Sequence, residues 1–324
     1  MTAYPPPPID PELRPALEAV GKVRPRTITP ALISSLREAR RAAPPVEEVI
    51  GARPVRHDVR IVPGAAGAPD VTLSIFTRHD HEAGGPAIYH IHGGGMVMGD
   101  RFLAADEYLD WVVGFDAVVV SVEYRLAPEN PDPAPIEDCY AGLSWMVAHS
   151  DDLGIDASRV VVAGGSAGGG LAAGLALVCR DIGGPALSGQ LLIYPMLDDR
   201  NCSVSSHQVN DVGVWDRASN DTGWDALLGD RRGTDDVSVY AAPARARDLS
   251  RLPSTFIDAG SVEVFRDEVV DYALRIWKQG GIAELHVWPG AYHGFDALAP
   301  HARVSVEARA ARVNWLRRVF VESQ

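Results

Sequence analysis

From residue 87 onward, short apolar or β-branched runs alternate with segments of helical length. The runs predict strands at Ala87–His92, Ala117–Val122, Val160–Ala163, Gln190–Tyr194, Thr255–Ala259 and Leu285–Trp288. The longer segments predict helices over Pro135–His149, Ala167–Arg180, Arg266–Gln279 and Ser305–Val319. Apolar strands that alternate with helices are typical of a parallel sheet covered on both faces. The pattern therefore predicts an α/β fold with a mostly parallel central sheet and helices on both faces.

The first part of the chain has a different pattern. Residues 1–50 are rich in proline and show two helical patterns, near Leu13–Val20 and Pro30–Ala42, but no strand pattern. They predict a helical arm rather than a separate domain, and residues 51–324 then form the main domain. That domain opens with two further strand patterns, Val55–Val62 and Val71–Thr77.

A second interruption lies between Tyr194 and Thr255, where about 60 residues show no clear strand. A loop of that length without secondary structure is uncommon in a compact domain. We therefore expect an inserted helical element above the sheet, at about residues 197–250.

Composition narrows the possible partners. The 324 residues carry 30 Lys and Arg against 43 Asp and Glu, a net charge of −13. Such a surface repels nucleic acid and anionic membranes, so we expect neither as a partner. The three cysteines show no metal-ligand spacing, and we see neither a signal peptide at MTAYPPPPID nor a run long enough to span a bilayer. These features favour a cytoplasmic protein without a bound metal.

The segment VVVAGGSAGGGLAAGLAL carries the strongest chemical signal. A buried strand ends at Ala163, Gly164–Gly168 fits the G-x-S-x-G pattern, and a helix follows. This order is that of a nucleophile elbow, a tight turn in which small neighbours let the backbone hold the serine in a strained conformation. The alternatives are a glycine-rich phosphate loop and glycines that serve close helix packing, and the strand–turn–helix context disfavours both. The sequence thus predicts Ser166 as the nucleophile of a serine hydrolase.

A second glycine-rich motif, His92-Gly93-Gly94-Gly95, directly follows the strand AIYHIH. Consecutive glycines let the backbone approach a bound acyl group with its amides turned toward the acyl oxygen. Together with the amide of Ala167 they would form an oxyanion hole. We interpret His92 as a structural residue that braces the loop.

The base and the acid should follow the nucleophile in the order serine, acid, histidine. His293 lies in the loop PGAYHGF after the last strand, whereas His286 lies inside that strand, so His293 is the predicted base. Glu263 lies in the loop after the strand STFIDAG, from which a carboxylate can orient an imidazole. Asp258, at the end of that strand, is the rival acid.

The motifs HGGG, YRLAPE (Tyr124–Glu129), GGSAGG (Gly164–Gly169) and YHGF (Tyr292–Phe295) together resemble the hormone-sensitive-lipase family of microbial esterases. The resemblance runs from about Pro86 to the C-terminus. It implies the α/β-hydrolase fold, with oxyanion donors at Gly94, Gly95 and Ala167. The family's acid is usually an aspartate; VEVFRDE places Glu263 at that position, which favours Glu263 over Asp258.

The resemblance also implies a helical cap, built from the N-terminal arm and the insertion, and the homodimers that many relatives form. The expected function is that of a serine carboxylesterase acting on short-to-medium acyl esters, without a cofactor. Met96 and Trp215, and also Trp224, are candidate substrate-pocket residues, although an isolated tryptophan is more often a core residue. An amidase or a lactonase could use the same machinery. The family's non-catalytic hormone receptors lack the histidine that is present here as His293.

Overall fold

A single sheet of eight strands forms the centre of the molecule. A computed structural model describes residues 5–41 and 44–322, so the end of the helix predicted over Pro30–Ala42 lies outside the described residues. The strands are β1 (Val55–Val62), β2 (Val71–Arg78), β3 (Gly85–Ile91), β4 (Val118–Glu123), β5 (Ile155–Gly165), β6 (Gly189–Ile193), β7 (Ser254–Val262) and β8 (Ala283–Tyr292). Their order in the sheet is β1-β2-β4-β3-β5-β6-β7-β8. Strand β2 pairs antiparallel with β1 and with β4, and every other pairing is parallel. The predicted mostly parallel sheet is confirmed.

The described residues form helices that cover both faces of this sheet or lie in the N-terminal arm and in the connection between β6 and β7. They are α1 (Arg14–Val23), α2 (Ile33–Arg41), α3 (Val46–Ile50), α4 (Ala105–Phe115), α5 (Ala134–Ala148), α6 (Ser150–Leu153), α7 (Ala167–Ile182), α8 (Val204–Gln208), α9 (Arg217–Leu228), α10 (Arg266–Lys278), α11 (Phe295–Leu298) and α12 (Arg303–Glu322). Helices α5, α7 and α10 contribute to one buried core, and α4 and α12 contribute to the other.

The sequence of β5 shows why the sheet is buried on both sides. Successive side chains of a strand point to opposite faces. Val160 and Val162 accordingly pack in the core with α5, α7 and α10, whereas Val161 and Ala163 pack in the core with α4 and α12. A continuous apolar run is therefore the pattern expected of a central strand in this layered arrangement.

The N-terminal segment is bound to the long connection between β6 and β7. The hydroxyl of Thr27 donates to the carboxylate of Asp216 at 2.7 Å, and the amide of Ile28 donates to the hydroxyl of Ser219 at 2.8 Å. The hydroxyl of Thr222 donates to the carbonyl of Ile28 at 2.9 Å. These bonds fix the segment before α2 against helix α9 of the connection.

The described helices also bear on membrane association. Helix α12 has 20 residues, but charged side chains recur along RVSVEARAARVNWLRRVFVE. Within residues 5–41 and 44–322, no helix combines the length and the apolar character needed to cross a bilayer.

Candidate active site

Ser166 occupies the sharp turn between β5 and α7. Its backbone has φ +58° and ψ −124°, a conformation that side-chain-bearing residues rarely adopt and that costs about 1–3 kcal/mol. Three hydrogen bonds hold it there: the Ser166 amide donates to the Ile193 carbonyl at 2.9 Å, and the Ser166 carbonyl accepts from Gly170 and Met196 at 3.0 Å. The turn thereby presents the hydroxyl at the carboxyl edge of the sheet.

Two of the neighbouring glycines are required by close backbone packing. A Cβ atom at Gly168 would lie 2.0 Å from the carbonyl oxygen of Ile91, on β3. A Cβ atom at Gly164 would lie 2.4 Å from the carbonyl oxygen of Gly168. Helix α7 can therefore begin directly against strands β3 and β5 only because these positions lack side chains.

Ser166, His293 and Glu263 form one hydrogen-bonded chain. Nε2 of His293 lies 3.0 Å from Oγ of Ser166, and Nδ1 of His293 lies 3.0 Å from both carboxylate oxygens of Glu263. Glu263 directly follows β7 and is fully buried, and His293 directly follows β8. Because β5, β7 and β8 run parallel, the turns after them meet at the same edge of the sheet. The structure thus brings together the three side chains that the sequence singled out.

Asp258, the rival acid, lies elsewhere. Its carboxylate accepts from Nη2 of Arg312 at 2.9 Å, from the indole of Trp288 at 3.1 Å and from the amide of Tyr194 at 3.2 Å. Both Asp258 and Arg312 are fully buried. The carboxylate of Asp258 is therefore engaged by α12, by β8 and by the amide of Tyr194, whereas His293 is paired with Glu263.

The glycine-rich loop after β3 lies beside Ser166. Gly94 and Gly95 have φ +119° and +61°, and a Cβ atom at Gly94 would lie 2.0 Å from the carbonyl oxygen of Met98. Among the described residues, no group accepts a hydrogen bond from the amide of Gly94 or Gly95. The amide of Ala167 belongs to the first turn of α7, where the helix itself supplies no acceptor. These three backbone amides are free to bind a substrate oxygen.

The loop is braced from behind by the motif Tyr124–Glu129. The ring of Tyr124 stacks on that of His92 with centroids 4.1 Å apart, and its hydroxyl donates to the His92 carbonyl at 2.9 Å. The imidazole of His92 is 2.8 Å from the Gly93 carbonyl. Next to Tyr124, the guanidinium of Arg125 holds the buried carboxylate of Asp138 with two nitrogens. The side chain of His92 thus contacts the loop and the ring that braces it.

A cavity of about 450 Å³ opens over Ser166 and His293. Trp215 lines it and is packed so closely against the loop that a Cβ atom at Gly95 would lie 2.1 Å from its ring. Met98 also lines the cavity, whereas Met96 does not, because its backbone at φ +65° turns the fully buried side chain into the core. The sequence thus assigned the pocket to the wrong methionine. Trp224 is a fully buried core residue.

Residues 88–297 match the alpha/beta hydrolase fold family. The chain belongs to this family. It is 33% identical to Esterase LipI of Mycobacterium tuberculosis over 79% of this chain and 81% of that protein. It is 35% identical to Carboxylesterase NlhH of the same organism, over the same shares of the two chains. The predicted hormone-sensitive-lipase-like branch of the α/β hydrolases is confirmed.

Solved structures extend the similarity to nearly the whole chain of this hydrolase. A bacterial heroin esterase superposes with a TM-score of 0.89 at 36% identity, covering 96% of this chain and 98% of that one. Esterase LipW from Mycobacterium marinum superposes with a TM-score of 0.85 at 34% identity, covering 97% and 98%. These relatives confirm the predicted fold and the predicted class, carboxylic ester hydrolase.

Several residues that support the hydrolase site were not recognised in the sequence. The ring of Tyr194 packs edge-on against His293 with centroids 4.9 Å apart, and burial raises the pKa of its hydroxyl well above the ordinary value. That neutral hydroxyl donates to Asp296 at 3.1 Å, and Asp296 pairs with Arg312. The only sequence signal for the role of Tyr194 is its position directly after β6, at the carboxyl edge of the sheet. Arg312 lies in an ordinary-looking basic helix.

Proposed function

We propose that this hydrolase is a serine carboxylesterase that cleaves short-to-medium acyl esters through Ser166, His293 and Glu263. One observation carries the proposal: the Ser166 hydroxyl lies 3.0 Å from Nε2 of an imidazole whose Nδ1 contacts a buried carboxylate. A nucleophile, a base within hydrogen-bonding reach and a group that orients the base are the parts that acyl transfer requires.

In the first step, Oγ of Ser166 attacks the ester carbonyl carbon while Nε2 of His293 takes its proton. Glu263 accepts the Nδ1 proton, which fixes the tautomer that leaves Nε2 free as a base and stabilises the imidazolium that forms. The imidazolium then protonates the leaving alcohol, and an acyl-enzyme remains on Ser166.

In the second step, water takes the place of the alcohol. His293 accepts a proton from the water as its oxygen attacks the acyl carbon, and the tetrahedral intermediate then collapses. The acid leaves, the proton returns to Oγ, and Ser166 is regenerated. The two steps use the side chains of this protein and water.

The developing oxyanion is bound in this mechanism by the amides of Gly94, Gly95 and Ala167. The proposal is supported by the position of the loop against the elbow, where a Cβ atom at Gly93 would lie 3.3 Å from Cβ of Ser166. Donors fixed before the reaction stabilise the negative charge without reorganising, and a single one is typically worth about 3–4 kcal/mol.

Substrate size is set, in our proposal, by a cap formed from the N-terminal arm (residues 1–50) and the insertion (about residues 197–250). The support is that Arg24 and Leu36 from the arm, and Val214 and Trp215 from the insertion, line the cavity over Ser166. A cavity of about 450 Å³ with apolar walls suits short or medium acyl chains. The homodimer, the cytoplasmic location and the absence of a cofactor stay predictions.

A series of p-nitrophenyl esters of increasing acyl length tests the function, with wild type and Ser166→Ala side by side. We expect turnover that peaks at a short or medium chain and falls at least about 10⁴-fold in Ser166→Ala. A matched p-nitroanilide and a lactone distinguish an esterase from an amidase or a lactonase. Equal turnover by wild type and Ser166→Ala would contradict the proposal, as would a wild type that binds esters without cleaving them.

A further inference from the structure

The cavity over Ser166 contains an arginine that the proposed mechanism does not use. Arg24 follows helix α1 in the N-terminal arm and lines this cavity together with Leu36, Met98 and Trp215. Among the described residues that line it, Arg24 is the only arginine, lysine, aspartate or glutamate. The catalytic cavity is therefore an apolar chamber with one permanently charged side chain in its wall.

The side chain of Arg24 has no hydrogen-bond or ion-pair partner among the described residues. Its Nε atom is buried without a hydrogen-bond acceptor, and its guanidinium forms no hydrogen bond or ion pair with the rest of the described chain. Burial lowers the pKa of Arg24 below its ordinary value. Arg37 of the same arm, by contrast, is paired with Glu129 at 2.9 Å. A partly buried guanidinium without a counter-charge is costly, so its retention here calls for a ligand.

Arg24 also lines a second cavity beside the catalytic one. This second cavity, called the outer cavity below, has a volume of about 440 Å³ and is lined by residues of α1 and of the insertion; Arg24 and Val214 line both cavities. The outer cavity carries charges of both signs, from Glu18, Lys22 and Asp211 among others. A charged end of a substrate can thus stay hydrated toward the outer cavity while the ester end reaches Ser166.

We propose that Arg24 is a specificity residue that binds a carboxylate on the substrate, so that the enzyme prefers esters with a free carboxylate away from the scissile bond. This inference rests on the proposed esterase function. A guanidinium binds a planar carboxylate with two parallel hydrogen bonds, and such charge-assisted bonds are strong where water is excluded. The absence of acidic residues from the described lining of the catalytic cavity leaves that attraction unopposed.

Matched pairs of esters test this selectivity. The monoethyl esters of succinate, glutarate, adipate and pimelate place the carboxylate on the acyl side, with the ethyl esters of the unsubstituted acids as neutral counterparts. Acetate esters of ω-hydroxybutanoate and ω-hydroxypentanoate place it on the alcohol side, with butyl and pentyl acetate as counterparts. Acid release is titrated at constant pH, and the readout is the ratio of kcat/KM for the anionic ester to kcat/KM for its neutral counterpart.

We expect this ratio to be at least roughly tenfold higher in wild type than in Arg24→Gln for one side of the ester. Arg24→Lys should keep part of the preference, because a lysine retains the charge but not the two-pronged geometry. Arg56→Gln is the matched control: Arg56 is exposed on β1 and lines neither cavity, so its ratio should equal that of wild type.

The result that overturns the inference is a ratio that is the same in wild type and Arg24→Gln on both sides of the ester. The neutral esters show separately whether the proposed function holds. If wild type cleaves none of them, the esterase proposal fails; if it cleaves them in a Ser166-dependent way without an Arg24-dependent ratio, only the carboxylate preference fails. If the ratio depends on Arg24 for only one of the two series, that series shows whether the preferred carboxylate lies on the acyl side or on the alcohol side of the ester.

Discussion

Glu263 contacts His293 through both of its carboxylate oxygens, each 3.0 Å from Nδ1. The carboxylate is fully buried at the end of β7, and the rings of Tyr194 and Phe265 pack edge-on against the imidazole. Water is thus kept from the Nδ1 side, and Glu263 is positioned to fix the tautomer of His293.

Glu263→Gln should lower kcat by about 10³–10⁴-fold, because an amide in this position can favour the wrong imidazole tautomer and cannot stabilise the imidazolium. The substitution preserves size, so we expect the melting temperature to change little. Glu263→Asp, which restores the residue usual in the family, should recover part of the activity. Steady-state kinetics and thermal unfolding on the same preparations provide the measurements.

Asp258→Asn is the informative comparison. It weakens the buried pair with Arg312 and should cost on the order of 3 kcal/mol of unfolding free energy, while folded protein keeps most of its turnover. A loss of turnover at Asp258 equal to that at Glu263, measured per folded molecule, would contradict the assignment of the acid.

The choice between Glu263 and Asp258 as the acid shows which parts of the site can be predicted from the sequence. The elbow, the glycine loop and the histidine loop could be predicted because each lies within a few residues of a strand end. Asp258 could not be excluded, since its role depends on Arg312, which is 54 positions away in α12. Pairings of that kind arise from the packing of α12 on the sheet and leave no local pattern.

The absence of a local pattern also explains why the sequence placed Met96, and not Met98, in the substrate pocket. Met96 and Met98 are two residues apart in one loop, and the positive φ of Met96 decides which of them faces the cavity. The position of Arg24 in the cavity was even less predictable from the sequence, because it depends on how the arm docks on α9. A proline-rich segment does not specify its docking site through its own sequence pattern.

Gly168→Ala should impair both folding and catalysis. The new Cβ atom would lie 2.0 Å from the carbonyl oxygen of Ile91, which cannot move without displacing β3. We expect a loss of about 1–3 kcal/mol in unfolding free energy, together with a clear fall in kcat from a displaced Ser166. Gly114→Ala is the control, since no atom lies within 4 Å of its Cβ position and the residue is exposed in α4. It should stabilise the protein by up to about 1 kcal/mol, and a destabilisation equal to that of Gly168→Ala would refute the steric account.

Met98→Ala should shift the preferred acyl chain toward longer esters. Removing a side chain that lines the cavity makes room for additional methylene groups, each worth about 0.8 kcal/mol, so the ratio of long-chain to short-chain kcat/KM should rise about tenfold. Met96→Ala, at the fully buried neighbour, should instead cost about 2–5 kcal/mol of stability and leave the chain-length profile in place. The p-nitrophenyl ester series and denaturant unfolding measure the two effects. If the chain-length profile changed in Met96→Ala and not in Met98→Ala, the assignment of Met98 to the cavity would be wrong.

Glu268 gives a prediction for stability rather than activity. This side chain of α10 is buried, and its Oε1 accepts from the amides of Leu197 at 2.8 Å and Asp198 at 3.2 Å. Burial raises the pKa of the carboxyl well above its ordinary value of 4.5. The folded protein therefore retains a proton at pH values where the unfolded chain has released it.

Stability should accordingly fall as pH rises above about 4.5, because in that window the folded state binds more protons than the unfolded state. Below 4.5 both states are protonated, and the contribution of Glu268 is constant. Glu268→Gln keeps an oxygen acceptor for the amides of Leu197 and Asp198 but cannot ionise, so its melting temperature relative to wild type should increase steadily from pH 4.5 upward. Glu307→Gln, at an exposed position of α12, serves as the control and should show no such trend. Thermal unfolding across this range decides the matter: a Glu268→Gln difference that is the same at every pH would mean that the buried carboxyl ionises as readily as in the unfolded chain.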